Sequence, residues 1–113
     1  YTTNVSIVSA HLQGNELNLE WIDILKMKNH TTIVLMAVSR ASEITQKAIE
    51  VGADKNLPTA IVSNASRHNQ EVFTTTLSKL PQIAKNAKKP AFIIFGDVVD
   101  LYGKLPIQNG KGS

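Results

Sequence analysis

Apolar residues along the chain fall into short β-branched runs and into segments with helical spacing. The short runs predict five strands, at residues 5–8, 31–38, 59–62, 71–76 and 91–95. The run from Thr31 to Val38 carries no charge, which is typical of a strand covered on both faces. Pro58 precedes the third strand, at a position where no ladder amide is needed.

Three segments between these strands have the spacing of amphipathic helices. Trp21, Ile24 and Leu25 share a face in the first segment, and Trp21 is predicted to anchor the core. The second helix is predicted to end at Gly52, and the third to carry Pro81 in its first turn. The predicted N-caps are Asn18, Ser42, and either Thr76 or Ser78.

The order of these elements predicts an α/β domain with a mixed five-stranded sheet, in two or three layers. The third and fourth strands are expected to form a hairpin-like antiparallel pair. Because ligands of α/β sheets bind in loops at strand ends, the loops after Val38, Val62 and Phe95 are the expected functional loops.

Composition limits the chain of 113 residues to one compact domain, with 42% hydrophobic and 19% charged residues. No apolar run is long enough to span a bilayer. The absence of cysteine agrees with a reducing, cytoplasmic setting. The net charge of +3 and a small cluster of Lys85, Lys88 and Lys89, with only 5% aromatic residues, favour solvated helix faces over a nucleic-acid surface.

Candidate chemistry is sparse. Phosphate loops, dinucleotide fingerprints and nucleophile elbows are absent. His11, His30 and His68 lack the spacing of metal ligands, so no metal site is predicted. His11 follows the first strand and could enter a strand-end cleft, or could be a turn residue bonded to backbone. Asp97 and Asp100 are interpreted as solvated acids of a turn rather than an acid–base pair.

Met36 near the end of the second predicted strand is core filler or part of a ligand wall. The small residues Ala37, Ala60 and Ala65 are expected at strand ends, where they would let backbone approach a flat ligand. These residues suggest an apolar slot for an adenine or the edge of a macrocycle.

Read together, several segments resemble the C-terminal half of tetrapyrrole methylases, in particular of those that methylate uroporphyrinogen III. The order and spacing hold across residues 5–101. The segments that carry the resemblance are Ser9-Ala10-His11, Leu19-Glu20-Trp21, Thr32-Ile33-Val34-Leu35-Met36-Ala37, residues 58–66, Gln70, Thr76-Leu77 and residues 90–99.

The resemblance implies transfer of methyl groups from S-adenosylmethionine to uroporphyrinogen III, giving precorrin-2 for sirohaem or cobalamin. It also implies a homodimer whose cofactor lies between two α/β domains. Met36 then lines the cofactor site, Ala65 contacts the cofactor through backbone, and Ala60 borders the adenine. The proton-transferring groups of the family belong to the N-terminal domain, so no catalytic residue is predicted here.

Three segments depart from the family pattern. Ser9-Ala10-His11 replaces Thr-Gly-His, Leu35-Met36-Ala37 replaces Tyr-Met-Gly, and Gln70-Glu71 replaces Gln-Arg. Residues 1–104 are expected to be the C-terminal subdomain, inactive alone, and residues 105–113 a flexible tail. The alternatives are a non-catalytic α/β binding module or a methylase with another acceptor. An exposed apolar strip would favour the methylase, since the missing domain must dock there.

Overall fold

The computed structural model describes residues 4–11, 16–27, 30–63, 70–88 and 90–96. All five predicted strands are confirmed within a few residues. The strands are β1 Asn4–Ser9, β2 His30–Leu35, β3 Pro58–Ser63, β4 Glu71–Thr76 and β5 Ala91–Phe95. The prediction was wrong for the end of the second strand, because β2 stops at Leu35 and the next residues turn away from the sheet.

The strands form one mixed sheet in the order β1-β2-β5-β3-β4. β1 and β2 are parallel, whereas β5 lies antiparallel between β2 and β3 and pairs Leu35 with Phe92 and Ser63 with Ala91. β3 and β4 are the predicted antiparallel neighbours. This arrangement brings the C-terminal ends of β1, β2 and β3 to the same edge as the start of β5. Gly96, at the other end of β5, lies at the opposite edge, where its amide donates to the Pro58 carbonyl at 2.9 Å. The rest of the loop predicted after Phe95 lies outside the described residues.

Helical segments cover one face of the sheet. They comprise α1 Ala41–Glu50, α2 Leu80–Ala84 and 3₁₀ turns at Ile22–Lys26, Val38–Arg40 and Leu77–Lys79. Their buried side chains join sheet residues such as Val34, Ile61 and Phe95 in one core. Trp21 is buried there, 6.4 Å from the ring of Phe95, which confirms its predicted role as an anchor. Among the described residues the fold has two layers, and none of their helices is long and apolar enough to cross a membrane.

The helix starts differ from the predicted caps. Asn18 does not cap a helix, because the following 3₁₀ turn begins only at Ile22; its side-chain oxygen accepts the Glu20 amide instead. α1 begins at Ala41, one residue before Ser42, and continues directly from a 3₁₀ turn without a side-chain cap. α2 is likewise preceded by a 3₁₀ turn. Thr76 and Ser78 contact each other there but cap no amide.

The sheet face opposite the helices is apolar. Val5, Ile7 and Leu35 lie on it with 58%, 67% and 40% of their surfaces exposed. Further along the same face, Ala60, Val62 and Ile94 form a small buried cluster. Alternation along a strand sends successive side chains to opposite faces, so this face is distinct from the helical core. An open apolar strip of this kind marks an interaction surface more often than free solvent contact.

The glycines that follow α1 and β5 provide a matched test of local backbone strain. Gly96 has φ +133°, and a Cβ there would lie 2.5 Å from the His30 carbonyl oxygen. Gly52 has φ +106°, but its Cβ would meet only the Lys26 side chain at 3.6 Å. We expect Gly96→Ala to lower the free energy of unfolding by about 2–4 kcal/mol and Gly52→Ala by about 1 kcal/mol. Urea denaturation of both variants measures the difference, and equal losses would contradict the close approach of Gly96 to His30.

Candidate functional site

The first wall of the candidate site is the end of β1. The Ala10 amide donates to the Leu35 carbonyl at 3.0 Å and thereby continues the β1–β2 pairing by one residue. Ser9 holds the next residue, since its Oγ accepts the His11 amide at 3.1 Å. His11 is therefore exposed at the sheet edge, beside the residue that follows β2.

Asn18 fixes this wall from the outside. Its amide donates to the Ala10 carbonyl at 2.7 Å, and its side-chain Nδ2 donates to the Ser9 carbonyl at 2.9 Å. The Trp21 indole N–H donates to the Asn18 carbonyl at 2.7 Å. Because Trp21 is buried in the core, this chain of hydrogen bonds ties the end of β1 to the interior.

The second wall is the turn after β2. Met36 has φ 58°, the left-handed conformation that side chains other than glycine seldom adopt, and 66% of its surface is exposed. Ala37, the next residue, is completely buried, and its carbonyl accepts the Arg40 amide at 2.9 Å. The turn thus points the Met36 thioether outward while its neighbour is locked into the core.

The third wall is the segment that enters β5. Ser63, at the end of β3, is buried, and its Oγ both accepts the Lys88 amide at 2.7 Å and donates to the Lys88 carbonyl at 3.0 Å. This double hydrogen bond fixes the chain just before Pro90 and Ala91. The ends of three strands therefore meet around one place on the sheet edge.

These walls enclose an open cavity of about 440 Å³. It is lined by His11, Met36, Val38, Ser39, Pro90 and Ala91. No Asp or Glu is among these described lining residues, and no group of three potential metal ligands occurs in the described part of the chain. A largely apolar slot with one imidazole and one hydroxyl suits a flat ligand that is oriented by few polar contacts.

Arg40, the charged residue closest in sequence to this turn, is already paired with Glu43. The Arg40 guanidinium donates through Nη2 to Glu43 at 3.0 Å and through Nε to the same carboxylate. This hydrogen bonding keeps the pKa of Glu43 below its usual value. The pair lies on the exposed side of α1, so Glu43 brings no unpaired negative charge to the site.

The predicted site residues are placed differently by the structure. Met36 lines the cavity, and His11 also reaches it. Ala60 lies inside β3 rather than at its end, fully buried and away from the cavity, so its position was predicted wrongly. Its contact with the cofactor stays a prediction. Ala65 lies outside the described residues, although Ser63 two residues earlier reaches the same edge as Met36.

Several contributors were missed from the sequence. Pro90 and Ala91 enter the site through the antiparallel placement of β5, which no local pattern specifies. Ser39 enters it from the 3₁₀ turn that follows β2. Ser63 had a weak signal, as a polar residue that ends an apolar strand. His30 lies at the opposite edge, where its Nε2 and the Ser6 hydroxyl are 2.8 Å apart.

Comparison with known sequences identifies the family. A profile of Tetrapyrrole (Corrin/Porphyrin) Methylases matches residues 2–81. A siroheme synthase of Ruthia magnifica subsp. Calyptogena magnifica is 35% identical over 107 residues, covering 93% of this chain and 22% of that protein. Siroheme synthase 1 of Klebsiella pneumoniae subsp. pneumoniae is 30% identical over 105 residues, with the same coverages of 93% and 22%. The chain therefore spans about a fifth of the length of these curated relatives.

Solved structures confirm the predicted fold class. Native uroporphyrin III C-methyl transferase from Thermus thermophilus superposes with a TM-score of 0.74 at 26% identity, covering 87% of this chain and 43% of that chain. The same enzyme complexed with S-adenyl homocysteine gives a TM-score of 0.73. A cobalt precorrin-4 methyltransferase, 20% identical with a TM-score of 0.67, shares the fold.

The left-handed turn at Met36 can be tested through stability. We expect Met36→Val to lower the free energy of unfolding by about 1–2 kcal/mol, because a β-branched residue is strongly disfavoured at positive φ. Met36→Gly should be neutral or stabilising. Met27 is a matched control, since it is an exposed methionine with φ −81° and ψ 137°, an extended conformation that valine readily adopts. A Met36→Val variant as stable as Met27→Val in thermal denaturation would show that the turn is not left-handed.

Proposed function

Because the chain belongs to the tetrapyrrole (corrin/porphyrin) methylases, we propose that it forms one wall of the S-adenosylmethionine site of a uroporphyrinogen III C-methyltransferase. The observation that carries this proposal is the cavity into which the turn after β2 presents Met36. The Thermus thermophilus relative complexed with S-adenyl homocysteine supports the choice of cofactor. The names of the matched structures support the choice of acceptor.

The residues present fit such a cofactor. A cavity of about 440 Å³ lies in the range of small-molecule sites, and its walls are mainly apolar. Met36 and Pro90 offer apolar contacts, while the Ser39 hydroxyl and the His11 imidazole offer hydrogen bonds. The small side chain of Ala91 lines the same cavity beside them. Met36, Ser39 and Ala91 are the residues that we propose hold the cofactor.

The chemistry assigned to this wall is alignment. S-adenosylmethionine, when bound, supplies an electrophilic methyl group on a sulfonium. The residues of this chain orient the ligand and exclude water on one side, because a displacement in line requires donor and acceptor to be held in register. His11 is the only imidazole among the described lining residues, and we assign it hydrogen bonding rather than proton removal.

We place the remaining groups of the reaction in the part of the relatives that this chain does not match. The chain covers 43% of the Thermus thermophilus structure and 22% of the siroheme synthases. Residues 1–104 then act as a C-terminal subdomain that is inactive alone, in a cytoplasmic, homodimeric enzyme. The exposed apolar side chains of Val5, Ile7 and Leu35 support this assignment, since a larger enzyme would cover them.

The proposed cofactor wall can be tested with S-adenosylhomocysteine. We expect the chain to bind it with a Kd weaker than micromolar, because half of a site makes only part of the contacts. Met36→Gly keeps the turn but removes the side chain, and should weaken binding about five- to tenfold through lost apolar contact. Isothermal titration calorimetry or NMR chemical-shift titration measures both values.

Met27→Ala removes another exposed methionine side chain, one outside the cavity, and should change the affinity less than twofold. Submicromolar binding by the wild-type chain would contradict the half-site. An equal effect of Met36→Gly and Met27→Ala would contradict the role of Met36.

A further inference from the structure

A second cavity adjoins the candidate cofactor cavity on the helical side. Its volume is about 180 Å³. It is lined by Val38, Ser39, Ala41, Ser42, Pro81, Ala84 and Lys85. Val38 and Ser39 line both cavities, so a groove runs from His11 and Met36, across the start of α1, to Lys85 just after α2.

The polar groups along this groove are hydrogen-bond donors or can act as donors. They are the His11 imidazole, the hydroxyls of Ser39 and Ser42, and the Lys85 ammonium. None of the described lining residues carries a carboxylate. Within the described part of the chain Lys85 forms no ion pair or side-chain hydrogen bond, although exposed lysines elsewhere, such as Lys26 and Lys47, do.

The acidic side chain nearest to this groove in sequence does not compete for Lys85. Glu43 follows Ser42 directly, but its carboxylate is held by Arg40 in a two-point hydrogen bond. The groove therefore has at one end a lysine that pairs with no described acid, and it has hydroxyls along its length and no carboxylate among its described lining residues. The chemistry that matches this distribution is a ligand carboxylate.

We propose that this groove binds a carboxylate of the ligand, which pairs with Lys85 and accepts hydrogen bonds from Ser39 and Ser42. The proposal rests on the proposed function, because the groove starts at the Met36 cavity. Two ligands of that site carry a carboxylate: the tetrapyrrole, on its peripheral side chains, and the cofactor, on its amino-acid end. Lys85, which the sequence alone places on a solvated helix face, then has a binding role.

The experiment compares Lys85→Gln with Lys79→Gln in the full chain of 113 residues. Lys79 is an exposed lysine of the neighbouring 3₁₀ turn that lines neither cavity, so it controls for loss of one charge. Binding of uroporphyrin III is measured by porphyrin fluorescence, and binding of S-adenosylhomocysteine by calorimetry, each at low and at physiological salt. Thermal denaturation checks that both variants fold.

We expect Lys85→Gln to weaken the binding of one of the two ligands by about three- to tenfold at low salt, and by less at physiological salt. Lys79→Gln should change neither by more than twofold. If only the binding of uroporphyrin III is weakened, the carboxylate that pairs with Lys85 belongs to the acceptor. If only the binding of S-adenosylhomocysteine is weakened, it belongs to the cofactor. If Lys85→Gln and Lys79→Gln behave alike with both ligands, or the wild-type chain binds neither, the groove is not a carboxylate site.

These results separate the two proposals. If Lys85→Gln has no effect on binding while Met36→Gly still weakens the binding of S-adenosylhomocysteine, the carboxylate groove is rejected and the cofactor wall is retained. If Met36→Gly has no effect while Lys85→Gln still weakens the binding of uroporphyrin III, the cofactor wall is rejected and a groove for an acidic ligand is retained.

Discussion

The antiparallel insertion of β5 between β2 and β3 is the constraint on which the site depends. It pairs Leu35 with Phe92 and Ser63 with Ala91, so the ends of β2 and β3 come to the edge where β5 begins. With neighbouring strands about 4.8 Å apart, three loops then converge within about 10–15 Å. A parallel β5 would have sent its entry segment to the far edge, and Pro90 could not have faced Met36.

Local sequence patterns were sufficient for the strands but not for the helix starts. Runs rich in β-branched or aromatic residues, such as 71–76 and 91–95, favour strands over helices, because their side chains fit a half-buried pleated surface. Asn18 and Ser42 are residues that favour helix caps, yet Asn18 bonds the end of β1 and α1 grows out of a 3₁₀ turn. The Asn18 side-chain nitrogen therefore makes a contact distant in sequence, whereas α1 needs no cap from Ser42 because the preceding 3₁₀ turn leads directly into it.

The candidate site was predictable only in part, for the same reason. Met36 was identifiable through the family resemblance and its place near a strand end. Its left-handed backbone was not, since methionine gives no signal for positive φ. Ser39 and Lys85 belong to the groove through the packing of α1 and α2 on the sheet, and no periodicity in the chain indicates that proximity. The positions of residues that depend on long-range packing cannot be predicted from a single sequence.

The strained turn at Met36 is stable because the residues after it are buried. A left-handed non-glycine residue costs about 1–2 kcal/mol, and burial of Ala37 and Val38 against the core can offset a cost of that size. The Ala37 carbonyl also accepts the amide of Arg40, the last residue before α1. Moving the cavity wall would therefore require Ala37 to leave the core and the start of α1 to unwind. The wall is held by the same packing that stabilises the domain, which is what a reaction governed by alignment needs from its scaffold.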